Sequence, residues 1–298
     1  MEDSDSKAGA PSPSGGSSAD WATRFKRLHP KEYYRKFVEK GIRPDGRRLL
    51  DVRQTALSVG AIPSADGSSI AKIGNTTVAC GIKLEVGQPS VHTPNEGRLE
   101  VEVKIAALSS PQHMKKIVDK SWKMDKPTRA LAVAVETAIR NTGMLNLEEL
   151  CIAEGDSVWA LHMDIVCLDY SGNLLDAAIL SAAGALKSLK LPATRILDDG
   201  EVVMTDGTPT PLTIQRYPLP LTFGIFDKKT IFADPTAEEE EFFEGSITIA
   251  FSNDGQLCLV QKSGGSPLSE TEVDACISNA EAYSKKLNSS LSLFGTKS

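Results

Sequence analysis

Apolar and polar positions along the chain predict two rounds of strands followed by a helix. From Val158 to Leu168 the residues alternate, with Trp159, Leu161, Met163 and Ile165 on one side and Ala160, His162, Asp164 and Val166 on the other. Both sides read as largely apolar, which predicts a buried strand. Tyr170-Ser171-Gly172-Asn173 supplies turn chemistry, and Asn173 is placed to cap a helix from Leu174 to about Leu189. That helix is apolar almost all round, so strand, turn and helix form a central packing unit.

Before this unit, Pro30 opens a short amphipathic helix through about Lys40, with Tyr33, Phe37 and Val38 as its stripe, and Arg43 to Arg48 read as a turn. From Arg53 to Leu108 the pattern is β: Thr55, Leu57 and Val59 alternate, Gly74-Asn75 closes a hairpin, and Leu99, Val101, Val103 and Ile105 alternate after a polar connection from Gly87 to Gly97. Pro127 begins a helix, capped by Asp125, that stops at Asn141-Thr142-Gly143. After the central helix, strands are predicted at Thr194–Ile196, Leu212–Gln215, Leu221–Phe226, Ser246–Phe251 and Gln256–Gln261, with Asn253-Asp254-Gly255 as a hairpin turn. Ser269 and Glu272 form a capping box for a last helix with Val273, Ile277, Ala280, Leu287 and Leu291 as its stripe. The expected fold is α/β (α+β) in two pseudo-repeated β-rich and helix halves, 21–191 and 192–298, and Glu238 to Glu241 read as a solvated loop or helix end.

Composition adds limits. Residues 1–20 are rich in Ser, Gly, Pro and Asp and predict a disordered tail. No run of about 18 apolar residues predicts a membrane span, and the N-terminus lacks a basic-then-apolar signal pattern. Cys80, Cys151, Cys167, Cys258 and Cys276 are widely spaced and read as buried thiols of a reducing compartment. Four scattered histidines without CxxC or HExxH give no expectation of a metal, and no cofactor is expected.

The net charge of −6 argues against a dedicated basic nucleic-acid protein, yet charge is uneven. Between Arg24 and Arg48 ten Lys/Arg stand against Glu32, Glu39 and Asp45, and from His113 to Arg129 six stand against Asp119 and Asp125. These patches read either as local anion contacts or as solvated faces.

Among motifs, no GxxxxGK[ST], no GxGxxG after a strand and no GxSxG is present. Asp164, Asp169 and Asp176 gather around the predicted turn. Asp164 and Asp169 read either as an acid pair able to hold Mg²⁺ or work as acid and base, or as structural acceptors for turn and backbone donors.

Four segments in order, RPDGR (Arg43–Arg47), IGNTTVACGI (Ile73–Ile82), TPNEGRLEVEV (Thr93–Val103) and DIVCLDYSGNLLDAA (Asp164–Ala178), resemble RNase PH-like proteins, and more narrowly the ring subunits of the RNA exosome. The NEG-x-L and D-Y-x-G-N-x-L-D-A forms resemble the non-catalytic sub-group. The resemblance covers roughly Arg43 to Leu291. It implies an RNase PH-like fold, a six-membered ring threading RNA, partnership with other RNase PH-like ring subunits and cap subunits, and no membrane. It also implies a place in the nucleus, including the nucleolus, and the cytoplasm, with roles in rRNA maturation and mRNA turnover.

Catalytic members of the family bind phosphate through a GRSLR-like motif and act beside a D-x4-D-G-G-T-R-like motif. This chain departs from both. It reads Glu136-Thr137-Ala138-Ile139-Arg140 at the first, where only Arg140 matches, and Tyr170-Ser171-Gly172-Asn173 in place of GGTR. An acid at the phosphate position repels the anion, since like charges about 4 Å apart cost about 1 kcal/mol even in water. Phosphorolysis needs the attacking anion held and neutralised, so the expected role is structural and RNA-guiding, without catalysis.

For RNA the resemblance favours Arg98, in the loop before the Leu99 strand, with Arg140 second and Lys115, Lys116 and Lys120 behind; Arg98 reads equally as a strand-end surface charge. Trp122 and Met124 read as a stacking platform or as an interface or core anchor. Two rival functions stay open: an active phosphate-dependent 3′-to-5′ exoribonuclease using Asp164, Asp169 and Arg140, and an adapter that recruits partners through the tail and basic helix.

Overall fold

The structure, a computed structural model, describes residues 24–106, 125–197, 202–205, 207–227, 229–265 and 267–291. The expected tail over 1–20, and Lys115, Lys116, Lys120, Trp122 and Met124, lie outside the described residues. Two compact units divide at Leu49 and Leu50.

In the first unit, α1 (Pro30–Val38) begins on its proline, whose missing N–H is no loss in a first turn. Its buried aromatic is Tyr34, next to the expected Tyr33. The following turn is closed by the Arg43 amide donating to the Arg47 carbonyl at 2.8 Å, with Gly46 at φ 88°. Arg43 is itself buried and donates to the Leu49 carbonyl, while Arg47 pairs with Asp45 at 2.7 Å.

The second unit begins with β1 (Thr55–Val59), β2 (Gly67–Ile73), β3 (Thr76–Gly87) and β4 (Arg98–Ile105), followed by α2 (Asp125–Thr142). Short β5 (Cys151–Ala153) and long β6 (Ser157–Asp169) complete a sheet of order β1-β2-β3-β6-β4, in which only the β4–β6 pair is parallel. The Gly74-Asn75 hairpin forms as its pattern predicts, with Ile73 opposite Thr76.

β6 departs from expectation. Trp159, Leu161, Met163 and Ile165 are buried, but Asp164 on the other face is exposed and His162 and Val166 are half-buried. Among the described residues the sheet is covered on one side only, as antiparallel sheets tolerate, and its far face carries charge.

α3 (Leu174–Ser188) is the predicted central helix, and all its residues from Asp176 to Leu186 are buried. It packs on β1, β2 and β3 on one side and on β11 on the other. At Gly184 a Cβ would stand 2.9 Å from the Ser69 Cβ, so small residues set how closely helix and sheet approach.

The short strands β7 (Lys190–Leu191), β8 (Thr194–Ile196), β9 (Val202–Met204) and β10 (Thr210–Pro211) lead to β11 (Pro218–Phe226) and β12 (Thr230–Ala233). Then come α4 (Ala237–Glu240), β13 (Gly245–Ser252), β14 (Leu257–Gly264) and α5 (Glu270–Leu291). The second sheet has order β12-β11-β13-β14. No strand forms over 212–215. β11 instead starts three residues before the expected Leu221, because Pro218 and Pro220 sit where β13 is the only strand beside it among the described residues and a missing donor costs nothing. All nine β11 residues are buried. Leu221 and Phe223 pack with Cys276 and Ala280 of α5, whose Ser269–Glu272 capping box is present.

The acidic run is not simply solvated. Thr236 and Glu239 form a capping box for α4, and Glu239 is buried. The five cysteines are unbridged; burial pushes the thiols of Cys80, Cys167 and Cys276 up, which keeps them unreactive.

Candidate functional site

The segment at the phosphate-motif position lies in the last turns of α2, where an i, i+4 spacing brings side chains together. Glu136 uses it to hold Arg140: its Oε1 accepts from Nε at 2.9 Å and lies 2.9 Å from Nη2. Thr137 turns its hydroxyl back to the Val133 carbonyl. Arg140 lines a cleft with Leu99 of β4, and Glu96 and Glu148 line the same cleft. The one retained cation of the motif is thus neutralised by its own helix and faces further carboxylates.

The acids do not converge. Asp164 and Asp169 are five positions apart on one strand, roughly 16 Å at about 3.3 Å per residue, too far to share a cation or a water. Asp164 is half exposed and accepts from the Lys104 ammonium at 2.9 Å. Hydrogen bonds to Asp164 and Glu102 in turn raise the Lys104 pKa. Among the described residues no group of three His, Cys, Asp or Glu is placed to hold a metal ion.

Asp176, the third acid, is fully buried and structural. It accepts from the Thr222 amide at 2.8 Å, the Thr222 hydroxyl at 2.6 Å and the Asn173 amide nitrogen at 2.8 Å. Burial pushes its carboxyl up to about 6, although those donors work against the rise.

The Tyr170–Asn173 turn, where GGTR would be, is likewise spoken for. Asn173 adopts φ 59° and its side chain does not cap α3 as expected. Its Nδ2 bridges Asp176 and Asp234, both at 2.8 Å. The Asn173 amide donates to Glu240 at 2.7 Å, and the Tyr170 hydroxyl donates to the same carboxylate. Burial, and then the Glu240 charge, push the Tyr170 phenol up.

Arg53, which in the sequence is marked only as the residue leading into a strand, fastens this turn to the second sheet. Its guanidinium grips Asp234 at 2.7 and 2.8 Å and donates to the Ser171 and Gly172 carbonyls at 2.8 and 3.2 Å. No local spacing announces a partner so distant in sequence. Asp234, in the short connection after β12, and Glu240 escape sequence reasoning for the same reason.

Of the expected RNA residues, Arg98 opens β4 and is exposed, paired at 2.7 Å with Glu100, itself half exposed. Strand alternation turns Arg98 to the open sheet face and Leu99 toward the α2 cleft, so Arg98 and Arg140 stand on different faces of β4. Beside Arg98, the His162 ring nitrogens lie 3.2 Å from Glu85 and 3.3 Å from Glu100.

Comparison with known proteins agrees with this architecture. Residues 51–192 match the first domain and residues 216–283 the second domain of the 3′ exoribonuclease family, RNase PH. The chain belongs to that family. Exosome complex component Rrp42 of Methanothermobacter thermautotrophicus is 35% identical over 238 residues, covering 80% of this chain and 85% of that protein. Exosome complex component rrp43 of Schizosaccharomyces pombe is 29% identical over 262 residues, covering 87% and 93%. The Archaeoglobus fulgidus exosome solved with RNA bound to the active site contains a chain that superposes with a TM-score of 0.76 at 30% identity, covering 87% of this chain and 96% of that one.

Proposed function

We propose that this chain is a non-catalytic ring subunit of an RNA exosome core. It supports 3′-to-5′ RNA processing and degradation, including rRNA maturation and mRNA turnover, by completing the ring and guiding RNA. Its partners are other RNase PH-like ring subunits, cap subunits and the threaded RNA, and it works in the nucleus, nucleolus and cytoplasm. The exosome relatives, matched over most of their length, support membership of the complex.

The absence of catalysis rests above all on the Glu136–Arg140 pair. A phosphorolytic site must hold inorganic phosphate in line with the scissile bond, and here the one arginine that matches the motif stands beside the Glu136 carboxylate, whose charge repels the anion, with Thr137 where the motif has its other arginine. Asp164 is engaged with Lys104, and the turn that would carry GGTR is built into the fold.

RNA guidance needs only exchangeable cations. Arg98 is 54% exposed in its pair with Glu100, and such pairs are worth about 0–1 kcal/mol, so the guanidinium passes readily to a phosphate. Co-expression with RNase PH-like partners tests the assembly: a mixed ring containing one kind of site for this chain, seen by native mass spectrometry, is expected. Assembly into a ring of this chain alone, with phosphate-dependent nuclease activity, would overturn the proposal. Fluorescent tagging tests the cellular distribution, and exclusion from the nucleus would contradict it.

A further inference from the structure

The basic stretch of the first unit has no part in the chemistry described above. A helical turn over 24–28 and α1 carry Phe25, His29, Tyr33 and Phe37 at every fourth position, the spacing that puts side chains on one face. Phe25 and His29 meet at 5.7 Å between ring centroids, and Tyr33 and Phe37 at 4.9 Å. His29 is exposed and the other three rings are half-buried, so part of each remains open.

Around these rings the charge is predominantly positive. Residues 24–40 hold seven Lys/Arg against Glu32 and Glu39, in a protein of net charge −6. Four-residue pairs of both kinds occur: Lys31 with Arg35 is like-charged and Arg35 with Glu39 is opposite. Lys36 has Glu32 four residues before it, yet its ammonium lies 4.3 Å from the Phe25 ring centre. Lys26 lies 5.9 Å from that of Tyr33. Lys40 is exposed, three residues on from Phe37, and has no carboxylate partner among the described residues, whereas Arg27 and Lys31, two positions before His29 and Tyr33, do not face the rings. Arg43 and Arg47 do not belong to this surface, the first being buried and the second paired with Asp45.

We propose that this aromatic and basic face binds single-stranded RNA, with Lys26, Lys36 and Lys40 on phosphates and Tyr33 and Phe37 stacking on bases. Cations alone would fit any polyanion, and rings alone any apolar partner. Cations interleaved with rings fit a chain that alternates phosphates with flat bases. The lysines now over the rings are then place-holders: a base takes the ring face and the ammonium moves to the adjoining phosphate. This contact lies outside the residues that match the two family domains, 51–192 and 216–283. It relies on the exosome reading only for the identity of the strand that meets it.

The test uses the full chain and a fluorescein-labelled oligouridylate, read by anisotropy across a salt series. The variant Lys26→Ala/Lys36→Ala/Lys40→Ala should bind about tenfold or more weakly at low salt. Its slope of log affinity against log salt should be shallower by about 2, since each phosphate contact on a single strand contributes about 0.7. Phe37→Leu, which keeps apolar bulk, should weaken oligouridylate severalfold and leave binding of inorganic polyphosphate unchanged. Unchanged affinity and slope in the triple variant would overturn the proposal. So would equal loss of polyphosphate and oligouridylate binding in Phe37→Leu. Loss of ring assembly in the triple variant, with RNA binding intact, would also overturn it and make the face a protein interface. Circular dichroism confirms that each variant is folded. Failure of the wild-type chain to enter a mixed ring is read separately and bears on the exosome reading alone.

Discussion

Arg53 and Asp234 stand 181 residues apart in sequence and are joined by two hydrogen bonds between guanidinium and carboxylate, in a pair whose side chains are 11% and 0% exposed. Burial alone would push the Asp234 carboxyl up, but the Arg53 hydrogen bonds and charge outweigh it and hold the group below the usual carboxylate range. The same guanidinium holds the Ser171 and Gly172 carbonyls, so one side chain ties the start of the first sheet, the central turn and the second sheet together.

Arg53→Ala therefore leaves a buried carboxylate without its cation and should cost about 3–5 kcal/mol of stability. Arg53→Lys keeps the charge but loses the planar fork and should fall between that variant and wild type. Urea denaturation of the three proteins measures both differences.

Asp176 predicts the pH dependence. Its folded value of about 6 lies above the ordinary 3.8, so between those values the folded state binds more protons than the unfolded one. Stability then falls as pH rises from about 4 to 6 by on the order of 3 kcal/mol, and stays lower above. Asp234 acts in the opposite sense but lower on the scale: its depressed pKa stabilises the fold above 3.8 and that contribution is lost as pH falls further. Denaturation midpoints measured across pH 4 to 7 should slope downward in the wild type and flatten in Asp176→Asn.

Gly172 adopts φ 91°, and a Cβ there would lie 2.4 Å from the Ala237 nitrogen. At Gly143, with φ 65°, a Cβ would meet nothing within 4 Å. Both alanine variants incur the left-handed backbone cost of about 1–2 kcal/mol. Gly172→Ala adds a backbone collision, so its thermal midpoint should drop well below that of Gly143→Ala.

Removing the carboxylate from the α2 pair releases Arg140 without building a phosphate site. The pair is 51% and 34% exposed and worth about 0–1 kcal/mol, so Glu136→Ala should tighten RNA binding by no more than about fivefold. Anisotropy with the labelled RNA gives that ratio. Release of nucleoside diphosphates should not follow.

Local signals carried much of this fold. Gly74-Asn75, the apolar periodicity of α3 and the Ser269–Glu272 box each lie within a few residues, and each forms where its pattern points. The Glu136–Arg140 segment is marked in the sequence only by its position against the family's phosphate motif, of which Arg140 alone matches. What stayed hidden depends on distant partners. Pro218 and Pro220 disguise a strand whose other neighbour begins only at Phe223, and β6 reads as buried on both faces because Ala160 and Val166 give no sign that solvent meets Asp164. Asn173 reads as a cap by residue type, yet two buried aspartates claim its amide.

The most direct test is a phosphorolysis assay on the purified chain, alone and in a reconstituted ring, with a 3′-tailed RNA in the presence and absence of inorganic phosphate. No phosphate-dependent release of nucleoside diphosphates by the chain alone is expected, and Asp164→Asn should leave the activity of the ring unchanged. Diphosphate release by this chain alone that disappears in Asp164→Asn would contradict the non-catalytic assignment and make it a working exoribonuclease.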